Sequence, residues 1–494
     1  MVDTGCMRVE SDQRRGRPLA TLALLGFVLL AGCGSSASTA LDEASAPGAE
    51  GDSSRTTTTA TIEPEPESDE RSSSGEPGAD VLDDHDDAST SGEDSTTTSD
   101  GDDVDRDAGV ASDDAATDSA GAEELDGIDD LEPSPVTPSE LPGTTGDPEL
   151  DALIDELSAF VEAERGLNFQ TRPQVDLLDD DEFRQAWIDL IADDARDNAV
   201  GYANFTDVYQ AVGIISNDRS LEEIWSRFGD AGVLGYYETD SGAIRLRNGE
   251  INALAKTTLV HELVHALEDQ NFDLARDSYD ERDDEIAWAF SSLIEGSARV
   301  IENRYRATLS DAERAEEVAA LNALPRSVSF SEFTSSFLEL QFGRYNYGET
   351  FADALWAEGQ SLLDETLLAP PTSSELLLNP ASFLSGVPAD SPVDPPPAEG
   401  TIIEDGVWGE AAWVALLSDT FDLDTAREIA DGWGGDWYVA WREQDQTCVR
   451  IDLRADSASE LDEYASALER WTGARNGREV TSPTPGLLRT TACG

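Results

Sequence analysis

Positions 258–270 read TLVHELVHALEDQ, and the three residues that could do chemistry there are His261, Glu262 and His265. The chain has 3 histidines in 494 residues, so a pair placed four apart around a glutamate stands out against the composition. On a helix, residues i and i+4 lie on one face about one turn apart, so both imidazoles can point at one metal ion. Glu262 then sits beside the ion rather than on it, where a carboxylate can take a proton from a water that the metal polarises. This is the H-E-x-x-H spacing of zinc metalloproteases. Zinc lowers the pKa of a bound water toward about 7, and the neighbouring carboxylate accepts its proton as the hydroxide attacks a carbonyl.

Two imidazoles do not complete a catalytic zinc site, which takes three protein ligands. The remaining histidine, His85, lies in a low-complexity acidic stretch, so the third ligand is expected to be a carboxylate. Glu295 is the first candidate, because it falls inside the largely apolar SSLIEGSA, where an unpaired glutamate is costly to bury. Asp283, Asp284 and Glu285 are the alternatives, and they read as solvated residues at a loop or helix start.

The elements around these residues can be read from periodicity. INALAKTTLVHELVHALEDQ has helical spacing of Leu254, Leu259, Val260, Leu263, Val264 and Leu267. It follows VLGYYETDSGAIRLR, two short runs about a polar Ser241-Gly242 turn, which predicts a β-hairpin. Its second run, Gly242 to Arg247, is a candidate edge strand for an extended peptide. DPELDALIDELSAFVEAERGL, DDEFRQAWIDLIADDARD, SLEEIWSRFGD and DEIAWAFSSLIEGSARVIENRYRATL read as helices, with further helix to about residue 365. PPTSSELLLNPASF and SGVPADSPVDPPPAEG read as loops. Beyond residue 400, GEAAWVALLSD and SELDEYASALERWTG are helical, and DWYVAWRE and CVRIDLR are strand-like. The expected fold class is α+β, mainly helical, with a catalytic domain over 146–385 and a small α+β module over 400–494.

The net charge of -72 and pI near 4.1 exclude a nucleic-acid partner, which needs a basic surface. Lys256 is the only lysine, so arginine carries nearly all positive charge. Such a surface resists aggregation and suits a salt-rich medium; a compositional bias toward Arg, Asp and Ala explains it equally well. Residues 34–145 are dominated by Ser, Thr, Asp, Glu, Gly and Pro and cannot bury enough apolar surface to offset ordering entropy. They read as a disordered acidic tether, and their acidic runs lack the ligand spacing of a calcium loop.

At the N-terminus, Arg14, Arg15 and Arg17 precede the apolar LATLALLGFVLLAG, of signal-peptide length. The run ends in Leu30-Ala31-Gly32-Cys33, which resembles the lipobox of bacterial lipoproteins. That resemblance implies a signal peptide over 1–33, lipidation at Cys33, and a protein held by an acyl anchor at the extracytoplasmic face of the cell membrane. Cys448 and Cys493 remain as a pair in an exported chain, so a disulfide is expected.

The stretch from His261 to Gln270, with Glu295, resembles the gluzincins, zinc metallopeptidases with an H-E-x-x-H helix and a glutamate ligand from a following helix. More closely, the chain is similar to exported, often lipid-anchored bacterial proteins that share a G-[FY]-Y hairpin, H-E-L-x-H-A-L-x-D-Q and E-G-x-A. Here these are Gly235-Tyr236-Tyr237, His261 to Gln270, and Glu295-Gly296-Ser297-Ala298. Tyr345, Gly348 and Phe351, PPTSSE at 370–375 and Gly432-Trp433-Gly434-Gly435-Asp436 continue the pattern. The resemblance implies a zincin-like catalytic domain, Zn2+ held by His261, His265 and Glu295, and Glu262 as general base. It also implies a metalloendopeptidase acting on peptide or protein substrates. A non-catalytic surface lipoprotein on the same scaffold, and a zinc amidase acting on cell-wall cross-links, are the alternative readings.

Two positions depart from that pattern. Many gluzincins place an aspartate four residues after the ligand glutamate, to orient an imidazole; here that position is Arg299, and Asp269 is the substitute considered. A histidine often precedes the proline after the PPTSSE-like stretch; here it is Asn379. With histidine exhausted, a tyrosine or arginine must serve the developing oxyanion. Tyr345 and Tyr305 are the candidates, Tyr345 by its place in the pattern. Oligomeric state is not legible.

Overall fold

The structure, a computed structural model, describes residues 145–247, 251–276, 279, 284–444, 446–474 and 476–494, which fall within one compact unit. The expected signal peptide, Cys33, nearly all of the expected 34–145 tether, His85 and Asp283 lie outside the described residues. The described part is mainly helical with two small sheets, an α+β arrangement.

Helix α1, Pro148–Arg165, starts where the Asp147 carboxylate accepts from the Glu149 and Leu150 amides, with Pro148 in the first turn. It stops at Gly166, whose φ of 62° only glycine adopts without strain. Helix α2, Asp180–Asp197, opens with an Asp179/Glu182 capping box. Helix α3, Ala199–Val212, and helix α4, Leu221–Gly232, follow. Strand β1, Gln174–Leu178, joins β2, Gly235–Glu238, and β3, Ala243–Arg247, in a sheet of order β1-β3-β2. β1 runs parallel and β2 antiparallel to β3. The expectation of β3 as an edge strand is therefore corrected: both of its edges are paired, and β1, a five-residue QVDLL too short to signal itself, occupies the side that looked free.

Helix α5, Ala253–Phe272, is capped by Asn252 and lies on β2 and β3. Leu259, Val260, Leu263, Val264 and Leu267 join Val175, Tyr237, Ile244 and Leu246 in one core. The helix is apolar or buried nearly all round, as befits an interior element. Helix α6, Asp284–Thr308, packs along α5 and crosses helix α8, Ser335–Glu358; helix α7, Asp311–Ala323, lies between them in sequence. The α6–α8 crossing is made by glycines. A Cβ on Gly296 would sit 2.0 Å from the Gly348 carbonyl oxygen, and one on Gly348 would sit 2.0 Å from that of Ser292.

After helix α9, Gln360–Leu368, the segment expected as loop folds into two short helices, α10, Ser374–Leu378, and α11, Pro380–Leu384. Ser373 caps the first and Asn379 the second, so local side-chain caps make helix where composition suggested none. Beyond 400, β4 (Thr401–Gly406), β5 (Trp433–Glu443), β6 (Gln446–Ala455), β7 (Arg478–Thr484) and β8 (Leu487–Cys493) form an antiparallel sheet of order β4-β5-β6-β8-β7. Helices α12 (Glu410–Ser418), α13 (Leu423–Ala430) and α14 (Ala458–Gly473) accompany it. Cys448 and Cys493 face each other across β6 and β8 and are disulfide-bonded. The apolar core is shared: Trp288, Phe337 and Leu355 belong to the same cluster as Trp413, Tyr438 and Trp471.

Candidate metal centre

The H-E-x-x-H turn lies in the middle of α5, and Glu295 lies near the middle of α6. The glycine crossing fixes how close α6 and α8 come, and so sets both Glu295, next to Gly296, and Tyr345, one turn before Gly348. Interaxial distances are ordinarily about 8–10 Å; a glycine-on-glycine contact holds the crossing at the short end and leaves no slack. The E-G-x-A and Y-x-x-G elements of the sequence are thus packing motifs that place chemistry beside them.

His261, His265 and Glu295 offer ligand atoms that all lie within 4.8 Å of one another, a grouping that could hold a metal. Glu295 Oε2 is 3.2 Å from His261 Nε2 and 3.5 Å from His265 Nε2. Tetrahedral coordination with metal–ligand bonds of 2.0–2.1 Å has edges of about 3.3–3.4 Å, so these two separations fit one small cation among the atoms. The imidazole planes stand at 83°, with centroids 4.7 Å apart. Among the described residues neither nitrogen of His265 makes a well-formed hydrogen bond, Nε2 standing 3.5 Å from Glu295, although the side chain is 2% exposed. A buried imidazole left so is costly unless something else engages it.

The partner of His261 Nδ1 is Glu302, at 3.1 Å. With an Nδ1 proton donated to Glu302, Nε2 would be left free to meet a metal held together with Glu295. Glu302 is two turns beyond Glu295, on the same face of α6, and is completely buried. Arg299 and Arg306 pair with it at 3.2 Å and 2.5 Å. Burial alone would raise its pKa; the two guanidiniums and His261 hold it well below the usual carboxylate range. Arg299, which stands where an orienting acid was expected, thus serves by holding the acid that does orient. Sequence reasoning missed Glu302; the i+7 spacing from Glu295 was the available signal.

Glu262 is fully buried; among the described residues no donor completes a well-formed hydrogen bond to either carboxylate oxygen, and the Tyr237 amide stands near enough to favour its charge. Gly235, the first residue of β2, leaves no room for a side chain: a Cβ there would lie 2.7 Å from Thr258 Cγ2, 3.0 Å from Leu246 Cδ2 and 3.2 Å from Glu262 Oε1. Burial pushes the Glu262 pKa well above its ordinary value; His261 opposes this, and Glu295 and Glu302 add to it. For His261, burial disfavours the charge, yet its bonds to Glu295 and Glu302 push its pKa up to about 9. Tyr345 is buried against this group, its ring stacked on His261 with centroids 6.2 Å apart and planes at 30°.

Other candidates are elsewhere. Tyr305 packs edge-on against Phe160 at 5.3 Å and is not part of the cluster. Asp269 accepts from the Tyr237 hydroxyl at 2.7 Å and the Leu274 amide at 2.9 Å, closing the end of α5, so it does not orient an imidazole. Asp284 accepts from Tyr438. Glu285 is not solvated but buried, its Oε1 accepting from the Ser373 hydroxyl and from the Ser374 amide and hydroxyl. Asn379, in place of a histidine, caps α11 through the Ser382 amide.

A family described as Domain of unknown function (DUF8575) matches residues 400–491. The matched stretch holds the five-stranded sheet and its helices and does not reach the His261–Glu295 cluster. No curated protein and no solved structure matches the chain.

The remaining motif-like stretches meet around the first turn of α6. Asp436 of the GWGGD stretch is fully buried and accepts from the Trp408 amide at 2.8 Å, the Gly409 amide at 3.2 Å, and the indoles of Trp413 and Trp433 at 2.7 Å and 2.8 Å. A Cβ on Gly409, at φ 83°, would meet Glu285 Oε2 at 2.0 Å. Ser374 Oγ, from PPTSSE, links Glu285 to the Ala411 amide. These stretches clamp the start of the helix that carries Glu295 and Glu302.

Proposed function

We propose that the protein is a zinc-dependent metallopeptidase of gluzincin type with a zincin-like catalytic core, held to the extracytoplasmic face of a membrane through Cys33. The observation that carries this reading is Glu262. A carboxylate with both oxygens buried and only the Tyr237 amide near enough to favour its charge is expensive, and it stands next to two histidines and a glutamate grouped at metal-ligand distances. A structural role for that side chain would be served better by glutamine or leucine; a base needs the carboxylate.

When bound, zinc would supply Lewis acidity and a water acidified toward neutrality. His261, His265 and Glu295 would hold the ion, with Glu302 fixing the His261 tautomer. Glu262, its proton affinity raised by burial, would accept the proton of the attacking water and pass it to the leaving amine. Tyr345, against His261, is the residue placed to stabilise the developing oxyanion. With β3 enclosed, a peptide strand would align on the edge strand β2, whose Gly235 borders Glu262. The Cys448–Cys493 disulfide supports an oxidising compartment. Among the described residues no helix is long and apolar enough to cross a membrane.

One observation favours a second reading, a non-catalytic scaffold with a structural metal. His261, Glu262, His265 and Glu295 are all 2% exposed or less, so substrate would reach them only after the surrounding elements part. The decisive experiment is zinc content and peptide-library cleavage for the full chain, Glu262→Gln and Glu295→Ala. A peptidase binds one zinc, keeps it in Glu262→Gln while turnover falls about 10²–10⁴-fold, and loses it in Glu295→Ala. Zinc without cleavage in the wild type would leave the scaffold; a well-folded wild type without metal sinks both.

A further inference from the structure

A second candidate site lies along the same two helices, two turns from Glu295. Trp288 of α6 and Leu340, Gln341 and Arg344 of α8 line a cavity of about 70 Å³, closed on another side by Trp225 and Trp408. A water needs about 10–15 Å³ on this measure, so the space takes a ring or a branched side chain rather than a single solvent molecule.

The wall is aromatic, yet three of its polar atoms have no partner among the described residues: Arg344 Nε, Gln341 Oε1 and Trp408 Nε1. Gln341 and Trp408 are 4% and 5% exposed. Arg344 is partly buried and makes no ion pair among the described residues, in a chain with a net charge of -72. By contrast, the more deeply buried Arg165, Arg247 and Arg299 all have carboxylate partners. The acids electrostatically coupled to Arg344 are Glu295, engaged with the two histidines, and Asp284, which lines the cavity and accepts from Tyr438. Glu285, also in the wall, has three donors on one oxygen and its pKa pushed up to about 8 by burial, so it adds little negative charge at neutral pH.

Two free donors and one free acceptor around an aromatic box define a complement. A carboxylate takes the guanidinium and indole N–H groups, an amide N–H meets the Gln341 oxygen, and an apolar side chain packs on the indoles. We propose that this cavity binds the free carboxyl end of an N-acylated apolar amino acid, the chemistry of a peptide C-terminus. The site does not depend on the metallopeptidase reading, because none of its residues belongs to the metal group.

The test uses the full chain and N-acetylphenylalanine as probe, read by tryptophan fluorescence and calorimetry, before and after treatment with a chelator. The expected result is saturable binding that survives chelation. It weakens at least tenfold for N-acetylphenylalaninamide, which lacks the carboxylate, and less for 3-phenylpropionate, which lacks only the amide N–H. Arg344→Gln reduces binding of the acid at least tenfold and leaves that of the amide unchanged. Acetyl-Leu-Phe tests the source of the ligand: competition with the probe points to peptide ends, and binding of the single residue alone points to a free acylated amino acid. The proposal is overturned if acid and amide bind alike, if a folded Arg344→Gln binds as the wild type does, or if chelation abolishes binding, since the acid was then ligating a metal. Should Arg344→Gln not fold, the comparison of acid with amide on the wild type still decides.

Discussion

Replacing Glu302 by glutamine tests whether this acid, two turns beyond Glu295 on α6, tunes the proposed metal group. Two hydrogen-bond donors and a second guanidinium converge on the Glu302 carboxylate: His261 Nδ1 at 3.1 Å, Arg299 Nη1 at 3.2 Å, and Arg306 Nη2 in an ion pair at 2.5 Å. A glutamine of the same shape offers one acceptor oxygen and one NH2, so at least one donor must face another donor. Hydrogen bonds to charged groups contribute about 1.5–3 kcal/mol each, and loss of an outer partner of a metal-bound imidazole costs about 10–100-fold in metal affinity. That range converts to about 1.4–2.7 kcal/mol. Zinc affinity, measured by competition with a chromogenic chelator, should fall by that factor, and the melting temperature of the metal-free protein should fall as well. Arg306→Gln separates the two effects, because it removes charge from Glu302 but leaves the bond to His261. It should lower the melting temperature with a smaller change in affinity. Equal losses of affinity in both variants, or affinity within about twofold of wild type in a folded Glu302→Gln, would refute the orienting role.

Three further outcomes follow from the same geometry. Gly348→Ala drives a methyl to 2.0 Å from the Ser292 carbonyl oxygen, so α6 and α8 must separate; overpacking of this kind costs about 1–3 kcal/mol, and zinc stoichiometry should fall together with the melting temperature. Burial raises the pKa of Glu285 from 4.5 to about 8 and that of Asp436 from 3.8 to about 6. The folded state therefore holds more protons than the unfolded one between those values, and stability falls as pH rises from about 4 through 8. Thermal unfolding in a chelator should show a higher midpoint at pH 5 than at pH 8, with a smaller difference in Glu285→Gln. Finally, replacing both Cys448 and Cys493 by serine releases a crosslink spanning 45 residues, worth about 4 kcal/mol in the chain-entropy picture; the midpoint should drop while zinc content stays unchanged.

The parts legible in the sequence are those where one residue type can do one job. Two histidines four apart on an apolar period fix a helix and a face at once, and a glutamate in an apolar stretch must find a partner; the structure brings His261, His265 and Glu295 together. The parts that were not legible depend on partners far along the chain. QVDLL is a strand only because the open edge of β3 supplies its hydrogen bonds, and its presence removes the edge on which a peptide strand was expected to lie. Ser373 and Asn379 looked like loop chemistry, and at the ends of short helices they are caps. Glu285 read as a solvated helix start because nothing near it in sequence announces Ser373, Ser374 and Gly409, which bury it.

Helix α6 shows why texture and chemistry share one set of motifs. It carries Glu285, Glu295 and Glu302 over about 25 Å at 1.5 Å per residue, all 4% exposed or less. Glu285 is held by Ser373 and Ser374 at the start of α10, Glu295 by the two histidines of α5, and Glu302 by Arg299 and Arg306 together with the other nitrogen of His261. A helix so loaded cannot slide by part of a turn without exposing or unpairing a carboxylate at several places at once, each such loss costing on the order of 1–3 kcal/mol. Its position is therefore fixed at both ends by polar clamps and in the middle by the Gly296–Gly348 contact, and the midpoint is where Glu295 sits. This is the rigid placement that a metal group requires of its supporting elements, and it gives the stretch matched by DUF8575 a physical part in the site without a ligand of its own: through Gly409, Ala411 and Asp436 it holds the first turn of the helix that delivers the glutamate.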